Sequence, residues 1–180
     1  RRCGLDGATT GGDESVLYGY DGESLTLLAH SPKFETGRDC AQWAWHHMQE
    51  FGTREVNVDG IGLGDGIANA LEDKGAEVSR FIASSSAPTA EARRAYGNLR
   101  AYVAGELAQY LQKREIFIDP SDSEIEGELL GIRKKRTGGK LFLESKDDMR
   151  RRGVASPNRA DAAMMAIWGG SRTRFHFAED

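Results

Sequence analysis

The order of apolar segments in the first half of the chain constrains the fold most strongly. Three short strand-like stretches open the chain, at residues 1–6, 15–20 and 24–30, with polar, glycine-containing turns between them. Apolar runs bounded by such turns are typical of an antiparallel meander. A helical pattern begins only after the third stretch, so the sequence excludes a doubly wound sheet, in which strands and helices alternate from the start.

Beyond the third stretch, helices and strands alternate. A helix is predicted over Phe34–Phe51, where apolar residues recur at intervals of three and four. Strands are predicted at Glu55–Asp59 and Glu77–Ala83, a helix at Asp65–Lys74 and a long helix from about Thr89 to Lys113. An antiparallel meander followed by parallel strands with flanking helices is the arrangement of an RNase H-like α/β fold.

The last third of the sequence predicts an added hairpin and a closing helix. Ser121–Leu130 reads as a short helix with its cap at Ser121 or Ser123. Segments 132–136 and 140–144 flank Thr137-Gly138-Gly139, which is typical of a β-hairpin. The last helix is expected to begin at Ser156-Pro157, with the serine as N-cap and the proline at the first helical position.

The length of 180 residues favours one domain. We expect it to span residues 1–170, with the hairpin at about 131–145 and a loosely ordered tail at 171–180. No apolar run approaches the roughly 20 residues that a membrane-spanning helix needs. Cys3 and Cys40 are too few for a disulfide framework and fit a reduced compartment.

Charge is distributed unevenly along the chain. The net charge is −4, but residues 133–152 hold nine basic and three acidic residues, a local charge of +6. This window could face a polyanion while acidic groups elsewhere hold cations. The candidates for phosphate contact are Arg133, Lys134, Lys135, Arg136, Lys140, Arg150, Arg151 and Arg152. A solvated hairpin face is the alternative for the run from Arg133 to Arg136.

Three aspartates stand where an RNase H-like sheet would bring them together. Asp6 ends the first strand, Asp59 ends the first parallel strand, and Asp161 lies one turn into the last helix. Each alone has an ordinary explanation, such as capping a turn or complementing a helix dipole. Together they predict a site for two divalent ions, Mg²⁺ or Mn²⁺, because closely spaced carboxylates need a cation between them and hard oxygen ligands suit these ions.

The sequence contains no nucleotide-binding loop of the ATPase kind. Gly138-Gly139-Lys140 lacks the earlier glycine of a P-loop and is followed by Leu141. The glycine run 60–66 follows a strand, but the next strand ends in serines without the acid that would hold a ribose. We therefore expect the chain not to hydrolyse ATP by itself.

Several motifs together resemble the C-terminal nuclease domain of the large terminase subunit of tailed phages. They are Gly4-Leu5-Asp6-Gly7-Ala8 with Gly12-Asp13-Glu14-Ser15-Val16, Val58-Asp59-Gly60-Ile61-Gly62-Leu63-Gly64, Tyr96-Gly97-Asn98-Leu99-Arg100-Ala101, and the closing stretch from Leu143 to Ala162. The resemblance extends from residue 1 to about 169. Asn158 stands where the family pattern usually has Asp.

This resemblance implies a metal-dependent endonuclease that cuts double-stranded DNA during phage genome packaging, by two-metal phosphodiester hydrolysis. Asp6 would ligate both ions, and Asp59 and Asp161 one each. Further candidates, as ligands or as neighbours that orient them, are Asp13, Asp147 and Asp148, and Lys146 would orient a carboxylate or contact the scissile phosphate.

The implied setting is the capsid portal in the host cytoplasm, away from membranes. The partners would be double-stranded DNA, the portal protein, the small terminase subunit and an ATPase motor domain in the full-length protein. The missing P-loop and the start within a strand, without Met, fit an excised piece of such a protein.

Two other functions remain compatible with the residues. A resolvase- or transposase-type nuclease would use the same acidic trio on the same fold, and the closing motif alone argues against it. A non-catalytic docking module that binds a protein partner would need neither metal nor DNA. Metal-dependent cleavage of DNA separates the enzymes from the docking module.

Overall fold

The structure, a computed structural model, describes residues 1–8, 14–31, 33–60 and 62–169. Its strands are β1 (Arg2–Asp6), β2 (Ser15–Tyr20), β3 (Ser24–Ser31), β4 (Glu55–Asp59), β5 (Glu77–Phe81) and β6 (Phe117–Ile118). They form one sheet in the order β5-β4-β1-β2-β3-β6. Strands β1 to β3 are antiparallel, whereas β4 pairs parallel with β1, β5 with β4, and β6 with β3.

The helices flank this sheet, and a separate hairpin follows the fifth of them. The helices are α1 (Gly37–Phe51), α2 (Leu63–Glu72), α3 (Ala90–Ala95), α4 (Leu99–Lys113), α5 (Ser123–Gly131), α6 (Lys146–Arg151) and α7 (Asn158–Ile167). The hairpin pairs β7 (Lys134–Thr137) with β8 (Lys140–Leu143). This topology confirms the predicted RNase H-like α/β fold with an added hairpin. Within the described ranges, no helix combines the length and the apolar character needed to cross a bilayer.

Alternation along the strands divides the core into two layers. Cys3 and Leu5 of β1 pack with α1 and α2 on one face. Val16 and Tyr18 of β2 pack with α4 and α7 on the other face. Because side chains alternate along a strand, Gly4 and Asp6 of β1 lie on the opposite face from Cys3 and Leu5, which is the face that packs against α7.

The long helix predicted over Thr89–Lys113 is interrupted. Tyr96 forms a β-bridge with Leu141 of the hairpin, and the Gly97 N–H donates to the Leu141 carbonyl at 2.8 Å. The Asn98 side chain then accepts from the Ala101 N–H and caps α4. A tertiary contact and a side-chain cap therefore end one helix and begin another where periodicity alone indicates continuity.

The ends of the later helices also differ from the sequence predictions. Asp122 caps α5, in place of Ser121 or Ser123. Helix α7 begins at Asn158 with Pro157 in the N-cap position, and no side chain of its own segment caps it. Strand β6 was not predicted, since two residues carry too little pattern. The predicted tail at 171–180 lies outside the described residues.

Candidate functional site

One cavity brings together the three predicted aspartates. It measures about 320 Å³, and its lining includes Asp6, Asp59, Asp161, Arg100 and Lys146; we call it the acidic cavity. The carboxyl ends of parallel neighbours β1 and β4 meet at one edge of the sheet, and the first turn of α7 lies over that edge. Three carboxylates separated by up to 155 positions in sequence thus face a common space.

A glycine in β1 allows α7 to come close enough to deliver Asp161. A Cβ atom at Gly4 would lie 2.1 Å from the backbone oxygen of Ala162 and 2.3 Å from the backbone nitrogen of Ala166. No side chain fits there, so the helix backbone rests directly on the strand two residues before Asp6. The far end of α7 is tied to β4, because Asn57 Nδ2 donates to the carbonyls of Met165 and Trp168 at 2.6 and 2.7 Å.

A second glycine lies directly against Asp59. A Cβ atom at Gly64, near the start of α2, would lie 1.7 Å from the Asp59 carbonyl oxygen. Gly64 therefore allows a close backbone approach beside the acidic cavity.

A lysine joins two of the three carboxylates. Lys146 Nζ lies 3.3 Å from Asp6 Oδ2 and 3.0 Å from Asp161 Oδ2. The residue is the first of α6, whose N-cap Ser145 accepts a hydrogen bond from the Asp148 N–H. Lys146 thus places a positive charge between two of the negative ones.

Burial and neighbouring charges shift the proton affinities of this group. Burial raises the pKa of Asp6 to about 6, the negative charges of Asp161 and Asp59 add to the rise, and Lys146 opposes it. Burial lowers the pKa of the Lys146 ammonium, but its contacts with Asp6 and Asp161 outweigh burial and raise that pKa overall. Negative charge at Asp6 is therefore costly, and a cation nearby stabilises it.

Arg100 is a site residue for which the sequence analysis predicts no role. Its Nε lies 2.9 Å from Asp161 Oδ1, and its Nη1 donates to the Glu144 carbonyl at 3.2 Å. Its Nη2 is buried and has no hydrogen-bond partner in the described part of the chain. The Asn98-to-Ala101 motif contained this residue, but only the fold shows that α4 directs it at Asp161.

Two of the further candidate acids, Asp147 and Asp148, form ion pairs outside the acidic cavity. Asp147 pairs with Arg150 at 3.2 Å, and Asp148 pairs with Lys135 at 2.5 Å and Arg151 at 3.5 Å. Neither Asp147 nor Asp148 is among the residues that line the acidic cavity, and neither is Asn158, which is buried in the first turn of α7. Asp13 lies outside the described residues.

The basic candidates fall into two groups. Lys134, Lys135, Arg136 and Lys140 are exposed on the hairpin, which Arg133 precedes, and Arg150 and Arg151 are exposed on α6. Arg152 is different, because its Nε and Nη2 lie 3.0 and 2.5 Å from the two carboxylate oxygens of buried Glu144. Its Nη2 also donates to the Gly131 carbonyl. Arg152 therefore links the residues on either side of the hairpin and stabilises its base.

A larger cavity, of about 780 Å³, lies at the amino ends of β4 and β5, where Arg2, Glu55 and Glu77 line it. It contains none of the predicted catalytic residues. In the described ranges, no three His, Cys, Asp or Glu side chains already stand in an arrangement that could hold a metal ion.

Comparison with known proteins gives matches in structure alone. No family model matches the chain, and no curated protein does. The nuclease domain of the large terminase subunit gp2 of bacterial virus Sf6 matches with a TM-score of 0.77 at 24% identity, covering 91% of this chain and 86% of that one. A lysine-to-alanine mutant of that domain, with manganese and beta-thujaplicinol, matches at 0.79 with the same identity and coverage.

The large terminase nuclease from thermophilic phage G20c, with bound magnesium, is also similar. Its TM-score is 0.62 at 20% identity, over 92% of this chain and 78% of that one. At this identity the matches establish that the chain has the fold of large terminase nuclease domains, which agrees with the resemblance seen in its motifs.

Proposed function

We propose that this chain is a metal-dependent endonuclease that hydrolyses phosphodiester bonds of double-stranded DNA during phage genome packaging, as the nuclease domain of a large terminase subunit. The observation that carries the proposal is the meeting of Asp6, Asp59 and Asp161 in one cavity, on the fold of terminase nuclease domains. The Sf6 and G20c neighbours were solved with manganese and with magnesium, which supports divalent metal chemistry here.

The residues of the acidic cavity fit such ions by their chemistry. Three carboxylates supply hard oxygen ligands, the kind that Mg²⁺ and Mn²⁺ prefer. The Lys146 ammonium already lies between Asp6 and Asp161, so the cavity stabilises positive charge at that place. Since the carboxylates are not yet arranged around a common point, binding would require Lys146 to withdraw and the side chains to close.

Each aspartate has a role that follows from its place. Asp6 ends β1, which lies beside β4 in the sheet and packs against α7, so it would ligate both ions, with Asp59 and Asp161 holding one each. The ions, when bound, would supply an activated water and stabilise the leaving 3′ oxygen. Arg100 keeps Asp161 oriented through its Nε contact, and Lys146 neutralises the carboxylates until DNA and metal arrive.

The exposed basic side chains of the hairpin and α6 would contact the DNA backbone. In the described part of the chain, no ion pair engages Lys134, Arg136 or Lys140, whereas Lys135, Arg150 and Arg151 share the carboxylates of Asp147 and Asp148. Phosphate contacts carry no sequence information, so cleavage should show little sequence preference.

The full-length setting is part of the proposal. The nuclease would act beside an ATPase motor domain, the portal protein and the small terminase subunit, at the capsid portal in the host cytoplasm. The fold shared with terminase nuclease domains and the motif resemblance support this setting.

Nicking of supercoiled plasmid by the purified chain tests the proposal. We expect nicks and linear product with Mn²⁺ and none after EDTA is added. The matched pair of variants is Asp6→Asn, which should lose cleavage by several orders of magnitude, and Asp73→Asn, which changes the exposed aspartate at the C-cap of α2 and should cleave normally. Absence of both cleavage and Mn²⁺ binding in the wild-type chain would instead favour a docking module.

A further inference from the structure

Helix α7 carries Asp161 but has no cap from its own segment. Pro157 occupies the N-cap position and offers no side-chain hydrogen bond. The first N–H groups of a helix have no partner within the helix, and burial makes an unsatisfied one costly. Asn158, Arg159 and Ala160 are all buried. The Asn158 N–H donates to the Ser156 carbonyl at 3.0 Å, so it is the N–H groups of Arg159 and Ala160 that need acceptors from elsewhere in the chain.

Helix α5 supplies the missing acceptor. Glu128 Oε2 accepts a hydrogen bond from the Ala160 N–H at 2.8 Å, and the Arg159 N–H also bonds to this carboxylate. A carboxylate at this end of a helix also complements the helix dipole. Glu128 thus serves as a cap that reaches α7 from another helix, 32 positions earlier in sequence.

The same two helices are joined by side chains. Arg159 of α7 is buried, and its Nη1 lies 2.5 Å from Asp122 Oδ1, while its Nη2 lies 2.9 Å from Glu124 Oε2. Asp122 is itself the N-cap of α5 and receives a hydrogen bond from the Tyr18 hydroxyl of β2. These contacts fix the position of α5 relative to α7 and β2, so the Glu128 carboxylate is held at a defined position beside the first turn of α7.

We propose that Glu128 is a positioning residue, which fixes the first turn of α7 and through it the Asp161 carboxylate in the acidic cavity. The inference rests on the proposed function, because the residue positioned is one of its metal ligands. Glu128 is not among the residues that line the acidic cavity, so its action passes through the backbone of Arg159 and Ala160. Asp161 follows Ala160 directly, so a shift of that turn moves its side chain.

The test compares Glu128→Ala, which removes the acceptor, with Glu128→Gln, which keeps an acceptor oxygen without the charge. Glu126→Ala, at an exposed position of α5, is the control. In Glu128→Ala the amides of Arg159 and Ala160 should exchange hydrogen about five- to tenfold faster, the loss typical of a helix cap. Exchange in the last turn of α7 should be unchanged.

Mn²⁺ binding and DNA cleavage should rank the variants in the same order as the exchange rates do. We expect Glu128→Ala to bind Mn²⁺ about tenfold more weakly and to show a kcat for DNA cleavage lowered at least tenfold, with KM for DNA unchanged. Glu128→Gln should recover most of both, and Glu126→Ala should match the wild type. If Glu128→Ala does not fold, Glu128→Asp carries the test, since it withdraws the carboxylate by one methylene and keeps the charge.

The outcomes separate the two proposals. A folded Glu128→Ala with faster exchange but wild-type Mn²⁺ affinity and kcat would show a purely structural cap and overturn the positioning role. Unchanged exchange would overturn the capping contact itself. A wild-type chain that neither binds Mn²⁺ nor cuts DNA would defeat the proposed function and with it the positioning of a metal ligand, while faster exchange at Arg159 and Ala160 in Glu128→Ala would still establish the capping contact.

Discussion

At the scale of single residues, the state of the acidic cavity depends on one ammonium group. Lys146 compensates two carboxylates that would otherwise repel each other in a largely buried space. A divalent ion would compensate them more strongly, so lysine and metal compete for the same charge. This competition makes the effect of Lys146 on stability depend on whether metal is present.

Replacing Lys146 by Ala should therefore weaken the metal-free protein and strengthen its response to metal. Loss of the partly buried pair should lower the free energy of unfolding by about 1–2 kcal/mol, less than for a fully buried pair because the lysine is one-third exposed. Saturating Mn²⁺ should restore the melting temperature. Thermal unfolding with and without Mn²⁺ checks this, with Lys113→Ala, at an exposed position, as control. A Lys146→Ala protein as stable as wild type without metal would contradict the pairing.

Two raised carboxyl pKa values give the metal-free fold a pH dependence. Burial raises the pKa of Asp6 to about 6 and that of Glu128 to about 7, above their values of 3.8 and 4.5 in the unfolded chain. At pH values between the unfolded-state pKa and the folded-state pKa of each group, the folded state binds more protons than the unfolded state. The free energy of unfolding therefore falls as pH rises through this range. From pH 5 to 7 the free energy of unfolding should fall by roughly 3 kcal/mol, of which Asp6 contributes about 1 and Glu128 about 2.

Denaturant unfolding at a series of pH values measures this slope. Asp6→Asn and Glu128→Gln should each flatten it, because each removes one of the groups that take up protons on folding. Asp73→Asn should leave it unchanged. A free energy of unfolding that rises between pH 5 and 7 in the absence of metal would show that burial does not raise the pKa values of these two carboxyl groups.

At the scale of elements, the site depends on how closely β1 and α7 approach. A methyl group at Gly4 would collide with the backbone of α7, and backbone atoms cannot rotate away as a side chain can. Gly4→Ala should therefore lower the free energy of unfolding by about 3 kcal/mol. In the folded fraction α7 should be displaced, with a loss of cleavage of about 100-fold.

The matched control is Gly127→Ala in α5, where an added methyl group meets no atom within 4 Å. This change should be neutral or stabilising by up to about 1 kcal/mol, since alanine is the better helix former. Thermal melts and plasmid nicking compare the two variants. If Gly4→Ala retains both stability and cleavage, the close contact between strand and helix does not determine the site.

The elements also show where the sequence was informative. The meander, the parallel strands and the hairpin could be predicted because period and turn residues are local properties. The break at Tyr96–Asn98 could not, because it depends on pairing with Leu141, 45 positions later. Asp6 and Asp59 could be grouped because the ends of neighbouring strands share an edge, and Asp161 joined them through the closing helix of the predicted fold. Arg100 and Glu128 required knowledge of which helices lie against α7.

At the scale of the whole molecule, charge decides how the protein meets DNA. The net charge of −4 repels a polyanion on average, so binding must come from the exposed basic side chains of the hairpin and α6. Each phosphate that is neutralised contributes about −0.9 to the slope of log affinity against log salt. The slope therefore counts how many of these side chains touch DNA.

Replacing Lys134, Arg136 and Lys140 by Ala should flatten that slope by up to about 2.7 and weaken binding equally for unrelated duplexes. A salt titration in Ca²⁺ measures it, with Lys74, Lys113 and Arg114 replaced by Ala as a control of equal charge. Mn²⁺ affinity should not change. An unchanged slope would make the hairpin a solvated face, and a sequence-selective loss would point to base readout and a resolvase-type enzyme.

The central claim is that Asp6, Asp59 and Asp161 form the metal site, and calorimetric titration of Mn²⁺ into the metal-free protein tests it most directly. We predict that the wild type and Asp73→Asn bind Mn²⁺ with the same affinity at pH 7. Asp6→Asn should remain folded but bind at least tenfold more weakly, because the ligand proposed for both ions is lost. Equal Mn²⁺ affinity in wild type and Asp6→Asn would contradict the account.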